Sequence, residues 1–273
     1  MAKAFSVASW NVEHFRNEGS RPDRVIQFIE EQEPDVFALY EVEGREVFPE
    51  LVARMPRYGF FITEGEQVQE ILVGVCPHLT AFFTQRTEFK SGDTYLRPGS
   101  LLTITRDGVH YPLLFLHMRS GGDPKGLGLR DDMLARAFEF RNVLDKAPGA
   151  EGTANYIFLG DLNTMGMSYR YVPQRAIKAE DEIKKVEETA KRFRMRLLTK
   201  DAPATWSNGS QSTIPPSNLD HVLAADHLEF KSFGGAEVTV RGWPKLSTPS
   251  QQDRWIEDYS DHGLLYFEVQ KVE

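Results

Sequence analysis

The sequence predicts an α/β fold in which two β-sheets pack against each other. Two short apolar runs, "PLLFLH" at 112–117 and "YIFLGD" at 156–161, do not alternate with polar residues and predict strands that are buried on both faces. Segments with helical spacing lie between the strand-like runs, and such interleaving is typical of α/β proteins. The predicted strands outnumber the helices, which favours two packed sheets over one doubly wound sheet.

Seven segments are predicted as strands and three as helices. Besides the two runs above, the strands are "FSVASWN", "DVFALYE", "ILVGVC", "LLTIT" and "GLLYFEV". Two helices are predicted over 22–32 and 129–146, where apolar residues recur on one face. The charged segment "EDEIKKVEETAKRFRMRLL" is predicted to form a surface helix. Because no repeat, low-complexity tract or long linker interrupts the pattern, we predict a single domain over residues 1–273.

The charge and the cysteine content limit the classes of function. The formal net charge is −8, which opposes a broad nucleic-acid-binding face but allows a nuclease whose cleft holds cations and a few basic side chains. The single cysteine, Cys76 in "EILVGVC", excludes an intramolecular disulfide and is expected to be a small buried side chain. No signal peptide and no run of about 18 apolar residues is found, so we expect a cytoplasmic protein with no membrane span.

A polar side chain stands at one end of each apolar run. These side chains are carboxamides, carboxylates and imidazoles, and we expect them to converge if the strand ends lie at one edge of the fold. They are Asn11, Glu41, His117, Asp161, Asn163, Asp220, Asp261 and His262.

The residue types in this set indicate metal-assisted phosphate chemistry. Hard oxygen ligands suit Mg²⁺, Mn²⁺ or Ca²⁺, and neither a cysteine cluster nor an HExxH motif indicates a structural zinc site. Oxygen ligands beside two imidazoles are suited to the attack of water on a phosphate ester. Taken singly, each motif has a structural alternative: an aspartate after a strand commonly caps a turn, and His117 alone could be a hydrogen-bonded core histidine.

The order of the motifs resembles that of the endonuclease/exonuclease/phosphatase superfamily. The matching segments are "WNVEHF", "LYEVEG", "HMRSGG", "GDLNT", "LDHVLA" and "SDHGLLYFEV". Its members include DNase I-like nucleases, abasic-site endonucleases, neutral sphingomyelinases and inositol polyphosphate 5-phosphatases. The resemblance covers nearly the whole chain, and it implies a four-layered α/β sandwich with two mixed β-sheets packed face to face and helices outside.

The resemblance also implies the metal ligands. Glu41 is expected to be the principal ligand of Mg²⁺ (or Mn²⁺), with Asn11 and Asp261 beside it. Tyr40 and His221 depart from the residues that are common next to the motif positions in the superfamily, although neither departure removes a ligand. The segment between the second motif and residue 100 matches poorly, and it supplies part of the rim in the superfamily.

Catalytic roles follow from the same resemblance. Asp161 and Asn163 are expected to contact the phosphate and the attacking water, or a second metal ion. His262 is expected to pair with Asp220, whose carboxylate orients the imidazole and favours its protonated form. His117 matches the branch that places a second histidine on the side of the leaving group. The general base stays open between Asp161 and His262.

Basic residues near the motifs are candidates for holding substrate phosphates. They are Arg97, Arg119 and Arg130, the last two flanking the glycine-rich segment "SGGDPKG". The alternative for each arginine is a solvated or ion-paired surface group. Trp206 is expected to belong to the core.

The function that the sequence favours is divalent-metal-dependent hydrolysis of phosphodiester bonds, with DNA or RNA as the substrate. The alternative is a small phosphoester, such as an inositol phosphate, a phospholipid headgroup or a nucleotide. A non-catalytic binding module on the same fold is disfavoured, because every matched motif position keeps its functional residue. The natural substrate, the choice between endo- and exo-action, the number of metal ions and the oligomeric state stay open.

Overall fold

A computed structural model describes residues 2–16, 19–43, 47–66, 69–147 and 152–271. The strands of this part of the chain are β1 (Lys3–Phe15), β2 (Val36–Glu43), β3 (Gly59–Ile62), β4 (Gln69–Val75), β5 (Thr80–Arg86), β6 (Gly99–Arg106), β7 (Val109–His117), β8 (Ile157–Asp161), β9 (Met195–Leu197), β10 (Asp220–Ala225), β11 (Thr239–Arg241) and β12 (Leu264–Gln270). The helices are α1 (Arg21–Gln32), α2 (Val47–Arg54), α3 (Pro124–Leu144), α4 (Ala179–Arg192) and α5 (Pro249–Asp258).

The strands form two mixed sheets, and each has six strands within the described residues. The first has the order β11-β12-β1-β2-β4-β3, and the second has the order β5-β6-β7-β8-β10-β9. One neighbouring pair in each sheet is parallel, β1 with β2 and β7 with β8, and the other pairs are antiparallel. This architecture confirms the predicted α/β fold with two packed sheets.

The sheets are buried on both faces, as the continuous apolar runs predict. Along β1, Val7 packs between the two sheets, whereas Trp10 packs on the outer face with Val25 of α1. On the far side, Phe158 of the second sheet packs against Phe138 of α3. Two sheets between two helical layers therefore make the four-layered sandwich, and burial of apolar side chains in all three interfaces stabilises it.

Two helix boundaries differ from the predictions by more than two residues. α3 begins at Pro124 rather than at residue 129, because the Asp123 side chain caps the new first turn by accepting a hydrogen bond of 2.6 Å from the Gly126 backbone N–H. α4 ends at Arg192 rather than at residue 198. Arg194 takes a left-handed φ of 52°, which ends the helix, and the following residues pair with β10 as strand β9.

The strand directions carry the predicted polar residues to one edge of the sandwich. The parallel register of β1 and β2 sets Asn11 beside Tyr40 and therefore next to Glu41. In the second sheet, Asp161 is the partner of both His117 on β7 and Asp220 on β10. Within the described part of the chain, none of the helices combines the length and apolar character that a membrane crossing requires.

Candidate active site

The site is built across the seam between the two sheets. The Asn11 side-chain nitrogen donates to Glu41 Oε1 at 3.2 Å on its own sheet and to Asp161 Oδ2 at 3.0 Å on the other sheet. His117 Nε2 lies 3.6 Å from Glu41 Oε1 and 3.5 Å from Asp161 Oδ2. Four side chains that are distant in sequence thus lie within 3.0–3.6 Å of one another through these contacts.

A buried histidine–aspartate pair forms the second part of the site. His262 Nδ1 lies 2.8 Å from Asp220 Oδ2, and its Nε2 lies 3.9 Å from both Asp161 Oδ2 and Asp261 Oδ1. Burial alone would lower the pKa of His262, but the surrounding carboxylates outweigh this effect and raise the pKa to about 10. The geometry therefore favours an imidazolium that is oriented by Asp220. Its Nε2–H is presented to Asp161 and Asp261, which together with Glu41 are called the acidic cluster.

The carboxylates of the cluster are held closer together than isolated anions prefer. Burial raises the pKa of Asp161; the charge of His262 opposes this shift, and that of Asp220 adds to it. Burial likewise raises the pKa of Asp261, although the Trp206 indole N–H donates to its Oδ2 at 2.6 Å and stabilises the anion. A divalent cation would relieve this repulsion.

Glu41 is fixed from its other side by groups outside the predicted set. Its Oε2 accepts a hydrogen bond of 3.0 Å from the His14 backbone N–H and one of 3.1 Å from the Gln69 side chain. Glu13, His14 and Glu41 take positive φ values of 41°, 50° and 60°, and Asn163 takes 51°. Non-glycine residues rarely adopt this backbone conformation, and its concentration around the cluster is typical of functional sites.

The "GDLN" turn holds Asp161 in place. The Asn163 backbone N–H donates to Asp161 Oδ1 at 3.1 Å, and the Asn163 side-chain nitrogen donates to the Met118 carbonyl at 3.2 Å. Gly160 has a φ of 136°, and a Cβ there would lie 2.1 Å from the Leu116 carbonyl oxygen. Only glycine fits this approach, which brings Asp161 beside the end of β7.

The donor set fits a hard divalent cation. Asn11 and His117 each contact both Glu41 and Asp161, and the charge of Glu41 acts on Asp261; oxygen ligands of this kind suit Mg²⁺ or Mn²⁺. Asn11 fits less directly, because its nitrogen faces the carboxylates while its oxygen accepts a 3.0 Å hydrogen bond from the Glu13 backbone N–H. Coordination through the Asn11 oxygen requires the carboxamide to turn over and break that bond.

Two of the three predicted arginines lie near the cluster. Arg97 is half-buried; burial lowers its pKa, and the charges of Glu41 and Asp161 act in the opposite direction. Its Nε is buried and has no hydrogen-bond partner among the described residues. Arg119 is also half-buried, and its charge acts on Arg97.

The third arginine has a structural role instead. Arg130 is 0% exposed and binds Glu182 through two hydrogen bonds of 2.7 and 2.9 Å. It also donates to the Gly121 and Gly166 carbonyls at 2.9 and 2.8 Å. A side chain without exposed surface does not contact a substrate, so the prediction for Arg130 is wrong. It ties the glycine-rich loop to α4.

Sequence reasoning also missed or misjudged several neighbours of the cluster. Trp206, expected in the core, is half-exposed and bonds to Asp261. His14 lies inside a matching motif, but the motif does not indicate that the His14 backbone N–H donates a hydrogen bond to Glu41. Gln69 belongs to the poorly matched segment and carried no signal. Tyr40, the departure noted above, is fully buried and shares a 3.0 Å hydrogen bond with Ser9.

Two packed mixed sheets with this acidic cluster and its histidines at a shared edge define a DNase I-like phosphoesterase fold. The sequence profile described as "Endonuclease/Exonuclease/phosphatase family" matches residues 8–262, and the chain belongs to this family. Members of the family are phosphoesterase hydrolases and generally depend on a divalent metal. The resemblance seen in the sequence motifs is thereby confirmed.

Solved structures show the same fold at low sequence identity. Truncated TDP2 from Caenorhabditis elegans is 17% identical, with a TM-score of 0.69 and 98% of each chain covered. D. rerio TDP2 complexed with single-strand DNA product is 18% identical, with a TM-score of 0.64 and coverage of 98% of this chain and 99% of that chain. The mannosyl-6-phosphatase Bt3783 from Bacteroides thetaiotaomicron is 15% identical, with a TM-score of 0.64 and coverage of 98% and 100%. No curated protein matches the sequence.

Proposed function

We propose that the protein hydrolyses phosphodiester bonds in DNA or RNA with the help of a divalent metal ion. The observation that carries this proposal is the meeting of acids from both sheets with His117 and the His262–Asp220 pair at one edge. Glu41 and Asp261, with Asn11 once its carboxamide has turned, would hold Mg²⁺ or Mn²⁺. When bound, the ion polarises a phosphoryl oxygen and stabilises the charge that develops on it.

His262 and Asp220 act on the scissile phosphate. Protonated at both ring nitrogens, His262 donates Nε2–H to a non-bridging oxygen and stabilises its negative charge in the transition state. Asp220 keeps the ring in this orientation through the 2.8 Å contact with Nδ1. A protonated imidazole does not accept a proton, which favours Asp161 as the group that takes the proton from the attacking water.

Asp161 and His117 complete the reaction. Burial raises the pKa of Asp161, which makes it a better proton acceptor than an exposed aspartate, and Asn163 holds its second oxygen. Burial lowers the pKa of His117, so this imidazole is neutral. Its Nε2 faces two carboxylates, so we assign the ring proton to Nε2, where the N–H can form a hydrogen bond to the leaving-group oxygen.

Two exposed aromatic side chains that neighbour site residues in the sequence support a nucleic-acid substrate. Tyr95, which is 73% exposed, lies two residues before Arg97. Tyr171, which is 85% exposed, lies eight residues after Asn163, and the Arg170 guanidinium lies 5.5 Å from the centre of its ring. Exposed rings stack with unpaired bases, and nearby cations counter the acidic net charge locally. The single-strand DNA product bound to D. rerio TDP2 supports the same substrate class.

A small phosphoester is the second candidate. The net charge of −8 repels a long polyanion more than a small one, and a mannosyl-6-phosphatase has the same fold over 98% of this chain. Both candidates use the same acidic and histidine groups, so only the substrate distinguishes them.

The experiment compares the two substrate classes with Mg²⁺ present. Supercoiled plasmid, single-stranded DNA and single-stranded RNA are incubated with the protein beside a panel of sugar phosphates, inositol phosphates and nucleotides, and His262→Gln serves as the inactive control. We expect cleavage of at least one nucleic acid that the control lacks. Hydrolysis confined to the small esters would replace the first candidate by the second, and no hydrolysis of any substrate would refute both.

A further inference from the structure

A second group of possible metal ligands lies at the opposite end of the first sheet. Asp35 directly precedes β2, and Cys76 directly follows β4; the neighbouring residues Val36 and Val75 are partners in the antiparallel ladder. Glu41 is six residues along β2 from Asp35, which corresponds to about 20 Å of extended chain. His78 completes the group two residues after Cys76. These residues therefore do not belong to the catalytic cluster.

The donor atoms of these three side chains lie close enough together to share one metal ion. His78 Nε2 lies 3.1 Å from Asp35 Oδ1 and 3.4 Å from Cys76 Sγ, and Cys76 Sγ lies 3.9 Å from Asp35 Oδ1. Zn–S bonds of about 2.3 Å and Zn–N or Zn–O bonds of about 2.0–2.2 Å at tetrahedral angles give separations of about 3.3–3.6 Å. The three separations are close to these values, but Cys76 Sγ lies 3.1 Å from His78 Nδ1, nearer than to Nε2, so the imidazole must turn before Nε2 points at an ion bound to Sγ.

We propose that Asp35, Cys76 and His78 bind one zinc ion whose fourth position is open to solvent. A thiolate, an imidazole and a single carboxylate are a donor set that suits zinc and not Mg²⁺, which prefers oxygen ligands. Asp35 and Cys76 are buried, whereas the His78 side chain is half-exposed. The ligands border a cleft of about 520 Å³, which gives an ion a path to the buried donors.

The carboxylate of Asp35 is already oriented for this role. Its Oδ2 accepts hydrogen bonds from the Ser6 backbone N–H at 2.7 Å and the Ser6 hydroxyl at 2.9 Å, and Lys3 Nζ lies 2.9 Å away. These contacts fix the carboxylate through one oxygen and direct Oδ1 toward His78 and Cys76. Support of a ligand by outer hydrogen bonds is a regular feature of metal sites.

The thiol must lose its proton when the metal binds. Burial and the charge of Asp35 raise the pKa of Cys76 to about 11, so the metal-free protein carries the thiol. Binding forms the S–Zn bond and releases the thiol proton to solvent, and zinc is neither oxidised nor reduced. Without metal, Asp35 and His78 contact each other at 3.1 Å with the Cys76 thiol beside them. The alternative to the proposal is that these three side chains form only this contact and bind no metal, and the experiment must distinguish the two.

The experiment uses Co²⁺ as the spectroscopic substitute for zinc in the full-length chain. The protein is treated with EDTA, exchanged into excess Mg²⁺ so that the catalytic cluster is occupied, and titrated with Co²⁺. Cys76 is the only cysteine, so a thiolate-to-Co²⁺ charge-transfer band can arise only from this site. We expect the band to saturate at one Co²⁺ per chain and to disappear when zinc is added. Absence of the band in the wild-type protein would overturn the proposal.

Variants distinguish a three-ligand site from coordination of the metal by Cys76 without the other two side chains. Cys76→Ser should abolish the band, and His78→Ala should weaken Co²⁺ binding by about tenfold or more. His110→Ala, which removes another exposed histidine, and Glu41→Ala, which alters the catalytic cluster, should leave the Co²⁺ affinity unchanged. Since His78 is half-exposed, its variant is expected to fold, and the melting temperature of each metal-free variant checks this. Wild-type Co²⁺ affinity in His78→Ala would contradict the three-ligand site.

Discussion

The buried ion pair between Arg130 and Glu182 allows a quantitative test of whether Arg130 stabilises the fold or binds substrate. Replacing Arg130 by Met removes the cation and leaves Glu182, which is 5% exposed, as a buried carboxylate without its partner. Breaking a buried pair in this way costs about 3–5 kcal/mol of the free energy of unfolding. For a chain of this size, each kcal/mol lowers the melting temperature by about 2–4 °C, so we expect a decrease of about 6–20 °C.

The partner residue makes the test a double-mutant cycle. In Arg130→Met/Glu182→Leu no carboxylate is left unpaired. The Gly121 and Gly166 carbonyls still lose their donor, and the Gly166 backbone N–H, which donates to Glu182 Oε2 at 2.8 Å, loses its acceptor. The double variant should therefore lose about 1–3 kcal/mol less than the sum of the two single variants. Arg136→Met is the matched control, because its partner Asp132 is nearly half-exposed; it should cost less than about 1 kcal/mol.

Urea unfolding followed by circular dichroism measures all four variants, and hydrolysis assays accompany it. Strictly additive losses in the cycle, or a loss for Arg130→Met as small as that for Arg136→Met, would refute the reasoning. So would a stable Arg130 variant whose KM alone rises, since that result would restore Arg130 to the substrate site.

Three further predictions concern the catalytic cluster. Hydrolysis should vanish with EDTA and return with Mg²⁺ or Mn²⁺, and full activity without metal would defeat the mechanism. Glu41→Ala should weaken Mg²⁺ binding measured by calorimetry. His262→Ala should bind Mg²⁺ as the wild-type protein does and lose about 10²–10³-fold in kcat. If the two variants changed Mg²⁺ affinity and kcat to the same extent, the roles would be misassigned. In EDTA, the folded pKa of His262 lies above its unfolded value, so its pairing stabilises the fold below about pH 6.5, and this contribution is lost as the pH rises toward about 10. The difference in unfolding free energy between wild-type and His262→Gln should accordingly shrink over that range in urea titrations, and a constant difference would contradict a paired imidazolium.

The strand-end pattern was predictable because it depends on local signals. A continuous apolar run ends at each of four site residues: Asn11, Glu41, His117 and Asp161. The registers of the sheets then bring these residues together, independently of the loop conformations. The two packed sheets were predicted from the excess of strands over helices, and the four layers were implied by the resemblance to the superfamily.

Other features depend on contacts between distant residues and left no local signal. A basic residue beside a glycine-rich loop has the same sequence appearance whether it meets a phosphate or a buried acid, and the partner of Arg130 is 52 residues away. Gln69, which donates a hydrogen bond to Glu41, lies in a segment of the sequence that contains no motif. The end of α4 was placed too late because the charge pattern continues beyond Arg192, whereas pairing of β9 with β10 determines the actual end.

The hydrogen bonds of Asn11 to an acid on each sheet have a mechanical consequence. The distance between Glu41 and Asp161 is set by how thickly the apolar layer between the sheets is packed, and no single loop controls it. Sheets stack about 10 Å apart, and close packing resists compression. A methyl group added or removed deep inside the sandwich is therefore expected to change the separation of the Glu41 and Asp161 carboxylates.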